Sequence, residues 1–203
     1  MKKATPLLIA ICAILFACND AEQSDAVETA DSANEAKIES ATDSGNVAGS
    51  ATNSATAGTP VDEQTADFFV KAANGGMAEV AAGKMAQEKA TNPKVKEFAG
   101  MMVTDHTGAN TGLKELASRK NVTLPDTVSN EKKEDAADLA KKTGKDFDKA
   151  YMKMQVADHE KTVDLFEKAS KNVKDSDVKS YVDNTLPKLK AHLEAARTLN
   201  KSL

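Results

Sequence analysis

The sequence has no tryptophan, only two tyrosines and six phenylalanines among its 203 residues, and no excess of basic side chains: 31 acids stand against 27 Lys and Arg. A surface that neutralises phosphates and stacks bases needs clustered cations with interleaved aromatics, so a nucleic-acid partner is not expected. Cysteine is scarce too. Cys12 and Cys18 are the whole supply, which excludes a disulfide framework. Beyond the first 17 residues no apolar run approaches the ~20 residues that span a bilayer. Segments of alternating apolar and polar residues are also missing, so nothing supports a β architecture. Histidine occurs three times, and two of those share a setting, "VTDH" at 103–106 and "VADH" at 156–159.

The N-terminus reads as a targeting segment. "MKK" is followed by the apolar stretch "ATPLLIAICAILFA" and then Cys18, the order of a secretory signal. "LFAC" at 15–18 resembles a bacterial lipobox, although Phe16 is unusual inside one; an ordinary cleaved signal or an uncleaved anchor shares much of this grammar. The expectation is a lipoprotein signal peptide over 1–17 and a lipid on Cys18, holding the protein on a membrane through buried methylenes at ~0.8 kcal/mol each. Asn19, not Asp, follows the cysteine. This leans towards an outer membrane, with the remainder facing the periplasm or the surface.

Residues 19–60 carry eight acids, one Lys and no aromatic residue. Such a composition buries too little apolar surface to offset its ordering entropy. Residues 18–60 are therefore expected to be a disordered acidic tether beginning at the lipidated Cys18, with room for a transient helix near 26–40. Residues 61–203 differ: 23 acids balance 24 cations, and the length suits one domain with one core.

Four long stretches of this domain have helical period. The first, about 62–90, places Phe68, Phe69, Ala72, Ala73, Gly76, Val80 and Gly83 on or near one face. Pro93 closes it and opens the second, about 93–120, with Val95, Phe98, Met102, Leu113 and Leu116. A short polar helix over 129–144 precedes the third long helix, about 146–172, and the fourth, about 175–202, contains Pro187, which should kink it. Short links make helices one and two, and three and four, antiparallel. The long 120–145 connection lets the chain cross the bundle. The expected fold is all-α, a ferritin-like up-down-down-up four-helix bundle with a short helix in the crossover.

On helical wheels all three histidines fall inside apolar stripes. His106 lies four after Met102, His159 three after Val156, and His192 three after Leu189. Glu79 does the same on the first helix, flanked by Gly75, Gly76, Ala82 and Gly83. Counted from the helix ends, the four stand 11 to 13 residues in, about 16–20 Å from one end of the bundle. An inward carboxylate needs a partner or a cation. Glu79, His106, His159 and His192 are thus candidate ligands for one transition-metal ion, Zn, Fe, Cu or Mn. Asp105 and Asp158 could add ligands or fix histidine tautomers. The alternative is a metal-free Glu/His layer that sets helix register in an envelope interaction module.

Residues three before the histidines are Val103, Val156 and Leu189, so the Glu-x-x-His pattern of di-iron bundles is missing and iron oxidation is disfavoured. Met77, Met85, Met101, Met102, Met152 and Met154 gather near the layer by helix position, mainly as core fillers. No inward Ser or Cys accompanies the histidines, so hydrolase chemistry has no nucleophile and a catalytic role is not expected.

The stretches "ADFFVKAANGGMAEVAAGKMAQEKATNPKVKEFAGMMVTDHTGAN", "YMKMQVADHEKTVDLFEKAS" and "VKSYVDNTLPKLKAHLEAA" resemble the bacterial domain-of-unknown-function family 4142, whose members are often labelled predicted outer membrane proteins. The resemblance covers most of 65–200. It implies a Gram-negative envelope location and a ferritin-like fold, and it brings no activity. It marks Glu79, Asp105, His106, Asp158, His159 and His192 as family-pattern positions.

Overall fold

A computed structural model of the chain describes residues 24–43 and 61–203. The signal segment, Cys18 and the remainder of the 18–60 stretch lie outside the described residues. Those described form six α-helices and no strand: α1 Ala26–Asp43, α2 Glu63–Lys89, α3 Pro93–Arg119, α4 Asn130–Ala140, α5 Gly144–Asn172 and α6 Ser176–Lys201. None is long and apolar enough to cross a membrane.

Local chemistry sets the ends of these helices. Asp62 caps α2 by accepting from Thr65 N, and Asn92 caps α3 with Pro93 in its first turn. α3 stops in a left-handed residue, Asn121 at φ 55°, while the Val122 amide returns to the Ala117 carbonyl. This is the Schellman arrangement, in which Asn is one of the few tolerated side chains. Ser129 and Asp175 cap α4 and α6. Asp148 on α5, fully buried, accepts from the Thr91 and Asn92 amides and the Thr91 hydroxyl. It ties the α2–α3 turn to the start of α5. α6 runs through Pro187 without a break in the helix.

Two apolar clusters define the running directions. One joins Phe68 and Phe69 at the start of α2, Leu113 and Leu116 near the end of α3, Phe166 late in α5, and Val178 and Val182 early in α6. The other joins Ala86 and Ala90, Val95 and Phe98, Phe147 and Met152, and Ala196. The ends of α2 and α6 therefore meet the starts of α3 and α5, so the long helices run up, down, down, up. Between the two clusters lies a buried polar layer of Glu79, His106, Gln155, His159 and His192. Small residues let α2 and α3 approach closely here. A Cβ on Gly83 would sit 2.8 Å from Val103 Cγ2, and one on Gly76 would collide with Asn110.

The expected unstructured tether does not hold for residues 26–43. They form α1, which packs on α2 and on the loop after α3. Asn34 exchanges two hydrogen bonds with the Thr123 backbone, at 2.7 and 2.9 Å, and Lys37 donates to the Asn121 carbonyl and the Thr123 hydroxyl. Asp25 accepts the Asn130 amide at the start of α4. The segment is poor in apolar surface, as its composition says. It is held instead by polar contacts to backbone that α3 and α4 leave open at their ends.

Candidate metal centre

Each long helix contributes to the polar layer: α2 gives Glu79, α3 His106, α5 both Gln155 and His159, and α6 His192. His106, His159 and His192 are each more than nine-tenths buried, and their ring centroids form a near-equilateral triangle of 5.5, 5.5 and 5.6 Å. One ring nitrogen from each can be chosen so that all three lie within 4.8 Å of one another. His106 Nε2 and His159 Nε2 stand 3.4 Å apart. That is long for a hydrogen bond. It is close to the roughly 3.3–3.4 Å between two nitrogens that each sit ~2.0–2.1 Å from a tetrahedral ion.

Hydrogen bonding fixes which nitrogens carry protons. His159 Nδ1 lies 2.9 Å from the Gln155 carbonyl oxygen one turn earlier. A carbonyl can only accept, so Nδ1 holds the proton and Nε2 keeps its lone pair for the triad. His192 Nε2 donates to Asp105 Oδ2 at 2.8 Å, which leaves the lone pair on Nδ1, a buried atom with no hydrogen-bond partner. A buried acceptor left unpaired costs about 1–3 kcal/mol, and a cation among the three rings would satisfy it. Carboxylate–imidazole pairs of the Asp105–His192 kind orient metal-binding histidines and raise their basicity. The three buried histidines could hold a metal ion.

Electrostatics suit a neutral donor set. Burial pushes the His106 imidazolium pKa down to about 3, helped by His159 and His192. Burial likewise brings His159 to about 4 against the opposing bond to the Gln155 carbonyl, and lowers His192 against Asp105. Burial raises the Asp105 carboxyl, but hydrogen bonds from His192 and Lys188 outweigh it and leave the group below its ordinary value. All three shifts disfavour the imidazolium, so each ring keeps one N–H and one free lone pair, as metal binding requires.

Glu79 belongs to the same layer but stands apart from the triad. Its Oε1 is 3.6 Å from His159 Nδ1, on the side of that ring turned away from His106. Its Oε2 accepts from Gln155 Nε2 at 2.6 Å. Burial pushes its carboxyl up to about 8, only partly offset by the Gln155 bond. Asp105 and Asp158, placed alike in sequence, are used differently. Asp105 faces His192 across the α3–α6 seam and also pairs with Lys188 at 3.2 Å. Asp158 instead pairs with Lys132 of α4 at 2.7 Å. Gln155, which the sequence reading passed over, is the link between Glu79 and His159. Its position one turn before His159 on the same face was the available signal. Met102 and Met152 pack in the apolar cluster below the layer.

Residues 50–199 match the family described as "Domain of unknown function (DUF4142)". No curated protein matches the sequence. Among solved structures, the chain is similar to a DUF305 fragment from Deinococcus radiodurans, with 10% identity, a TM-score of 0.64, and coverage of 71% of this chain and 99% of that one. It is also similar to a structure described as CopM in the Cu(II)-bound form, with 14% identity, a TM-score of 0.56, and coverage of 68% and 96%. At these identities the likeness is one of fold. The match over 50–199 shows the family: the chain belongs to DUF4142.

Proposed function

We propose that this DUF4142 protein binds one transition-metal ion in its core through His106, His159 and His192, as a non-catalytic binding protein of the bacterial envelope. The observation that carries the reading is the triad itself: three buried imidazoles with a ring nitrogen each within 4.8 Å of the others, and His192 Nδ1 without a hydrogen-bond partner. Imidazole donors suit copper, zinc, nickel and iron, and the divalent series favours copper. The copper in the CopM structure makes that ion the first to test. The helix order and directions fit a ferritin-like bundle, but the triad replaces the carboxylate-rich di-iron pattern. In this reading a lipid on Cys18 and the segment after it carry the bundle on a Gram-negative membrane, the outer one favoured.

Elemental analysis of protein purified without a histidine tag tests the proposal. One copper or zinc per chain, raising the melting temperature and lost in His106→Ala and His192→Ala variants that stay helical, is the expected result. No uptake and no thermal shift with Cu, Zn, Fe or Mn would leave the metal-free layer as the better account. That account draws on burial alone: it pushes the Glu79 carboxyl up and the His106 and His159 imidazolium forms down, which favours a layer without net buried charge.

A further inference from the structure

We propose that two copies of this chain pair through the outer face of α3, antiparallel around a two-fold axis beside Thr104. The pairing goes beyond metal binding and does not depend on it. Between Glu97 and Lys114 every exposed position of α3 is uncharged: Met101, Thr104, Thr107, Gly108 and Thr111. α5 shows the ordinary pattern of a solvated helix, since its exposed positions from Lys149 to Lys171 are all charged except Ala157. Met101, at 38%, is the exposed large apolar side chain among the described residues. Thr104 and Thr111 turn their hydroxyls back to the carbonyls of Gly100 and Thr107, at 3.0 Å each, so they offer methyl groups outward. α1 packs on α2, and α4 on α5 and α2, which leaves this face to solvent.

Gly108 has no reason within the chain. A glycine inside a helix costs stability. At Gly76 and Gly83 the close approach of α2 and α3 explains it, whereas a Cβ on Gly108 would meet nothing within 4 Å. Bare backbone on an uncharged face is where a second chain comes close.

The face is complementary to itself. Lys94, Glu97, Lys114 and Glu115 stand exposed at its two ends, and none of them forms an ion pair among the described residues. Lys94 and Met101 are seven residues apart, and so are Met101 and Gly108, and Gly108 and Glu115. Seven residues are close to two turns, so these four share one edge of the helix. An antiparallel pair then sets Met101 against the partner's Gly108 and Lys94 against the partner's Glu115, and the two-fold makes each contact twice. On the other edge Glu97 falls about 3 Å in height from the partner's Lys114, within reach of two long side chains. A parallel pair would set lysine against lysine and glutamate against glutamate, which excludes it. One helix face per copy is a small seam, in the class of transient contacts under about 1,200 Å².

The test is cysteine cross-linking in the full chain carrying Cys12→Ser and Cys18→Ser, with sedimentation velocity over a concentration series into the millimolar range. Thr104→Cys lies beside the two-fold and is expected to give a disulfide-linked dimer on oxidation with diamide. Thr111→Cys, on the same face, stands about 20 Å in height from its copy and is expected to stay unlinked. Gly108→Leu fills the place of the partner's Met101 while favouring the helix, and Lys94→Glu opposes like charges. Each is expected to weaken self-association by about fivefold or more with the melting temperature held or raised. Adding Glu115→Lys to Lys94→Glu is expected to restore pairing. A monomer throughout the series, Thr111→Cys linking as readily as Thr104→Cys, or a dimer that Gly108→Leu leaves intact, would overturn the proposal.

Discussion

Replacing Glu79 by glutamine should make the metal-free protein more stable, and the gain should grow with pH. In the fold the carboxyl keeps its proton up to about pH 8, whereas an ordinary glutamate loses it near 4.5. Between those values the unfolded chain binds fewer protons than the folded one, so stability falls as pH rises through that window. At about 1.36 kcal/mol per pH unit, the loss is roughly 3 kcal/mol at pH 7 and 4–5 kcal/mol at pH 8, relative to pH 4.5 and below. Glutamine cannot ionise and escapes this penalty, while its amide oxygen can still accept from Gln155.

The histidines act in the opposite sense. His106 and His159 titrate at about 3 and about 4 in the fold against 6.5 for the free side chain. Their contribution is complete above 6.5 and is lost as pH falls towards those values. The wild-type protein in chelator should thus be most stable near pH 6–7, losing roughly 1 kcal/mol between pH 6.5 and 8, where the last of the histidine gain offsets part of the Glu79 loss. Urea unfolding followed by circular dichroism from pH 5 to 9 gives the profile. Glu79→Gln should abolish the alkaline limb and leave the acid limb intact. Parallel profiles for the two proteins, or a variant less stable than wild type at pH 7, would refute the reasoning.

Other perturbations follow from single contacts. Asp105→Asn should weaken metal affinity about 10–100-fold, read by competition with a chromogenic chelator, because it removes the carboxylate that holds the His192 tautomer. Gly83→Ala should cost roughly 1–3 kcal/mol in thermal or urea unfolding despite its better helix propensity, since the new methyl meets Val103 Cγ2 at 2.8 Å and the Ala99 carbonyl at 3.2 Å. Asn34→Ala should raise amide exchange across 26–43 with little change within α2, α3, α5 and α6, because it deletes both bonds to the Thr123 backbone.

Helix period and punctuation carried much of this architecture on the surface of the sequence. Pro93 marked the α2–α3 turn to the residue, and the inward faces of Glu79, His106, His159 and His192 followed from their spacing to apolar neighbours. Counting residues from the helix ends was enough to bring those four to one depth, since rise per residue is nearly constant. Pairing within the layer was not legible. Asp105 and Asp158 precede their histidines alike, yet one meets His192 on another helix and the other meets Lys132, because the few degrees of helix rotation that decide this are set by packing. Gln155 was not legible because an uncharged amide is equally at home on a solvated helix face and gives no titration signal. For α1, a transient helix near 26–40 was expected, but its docking on the domain was not legible. Composition reports how much apolar surface a segment can bury within itself, and α1 is held by backbone groups some ninety residues away, at Asn121 and Thr123.

Crystals of untagged protein soaked with copper or zinc, with anomalous differences recorded at the metal edge, bear most directly on the triad. The account predicts one strong peak per chain in the core, bounded by ring nitrogens of His106, His159 and His192, with Asp105 still on His192. A map with no peak there, or with copper held only by surface carboxylates and methionines such as Met101, would contradict it.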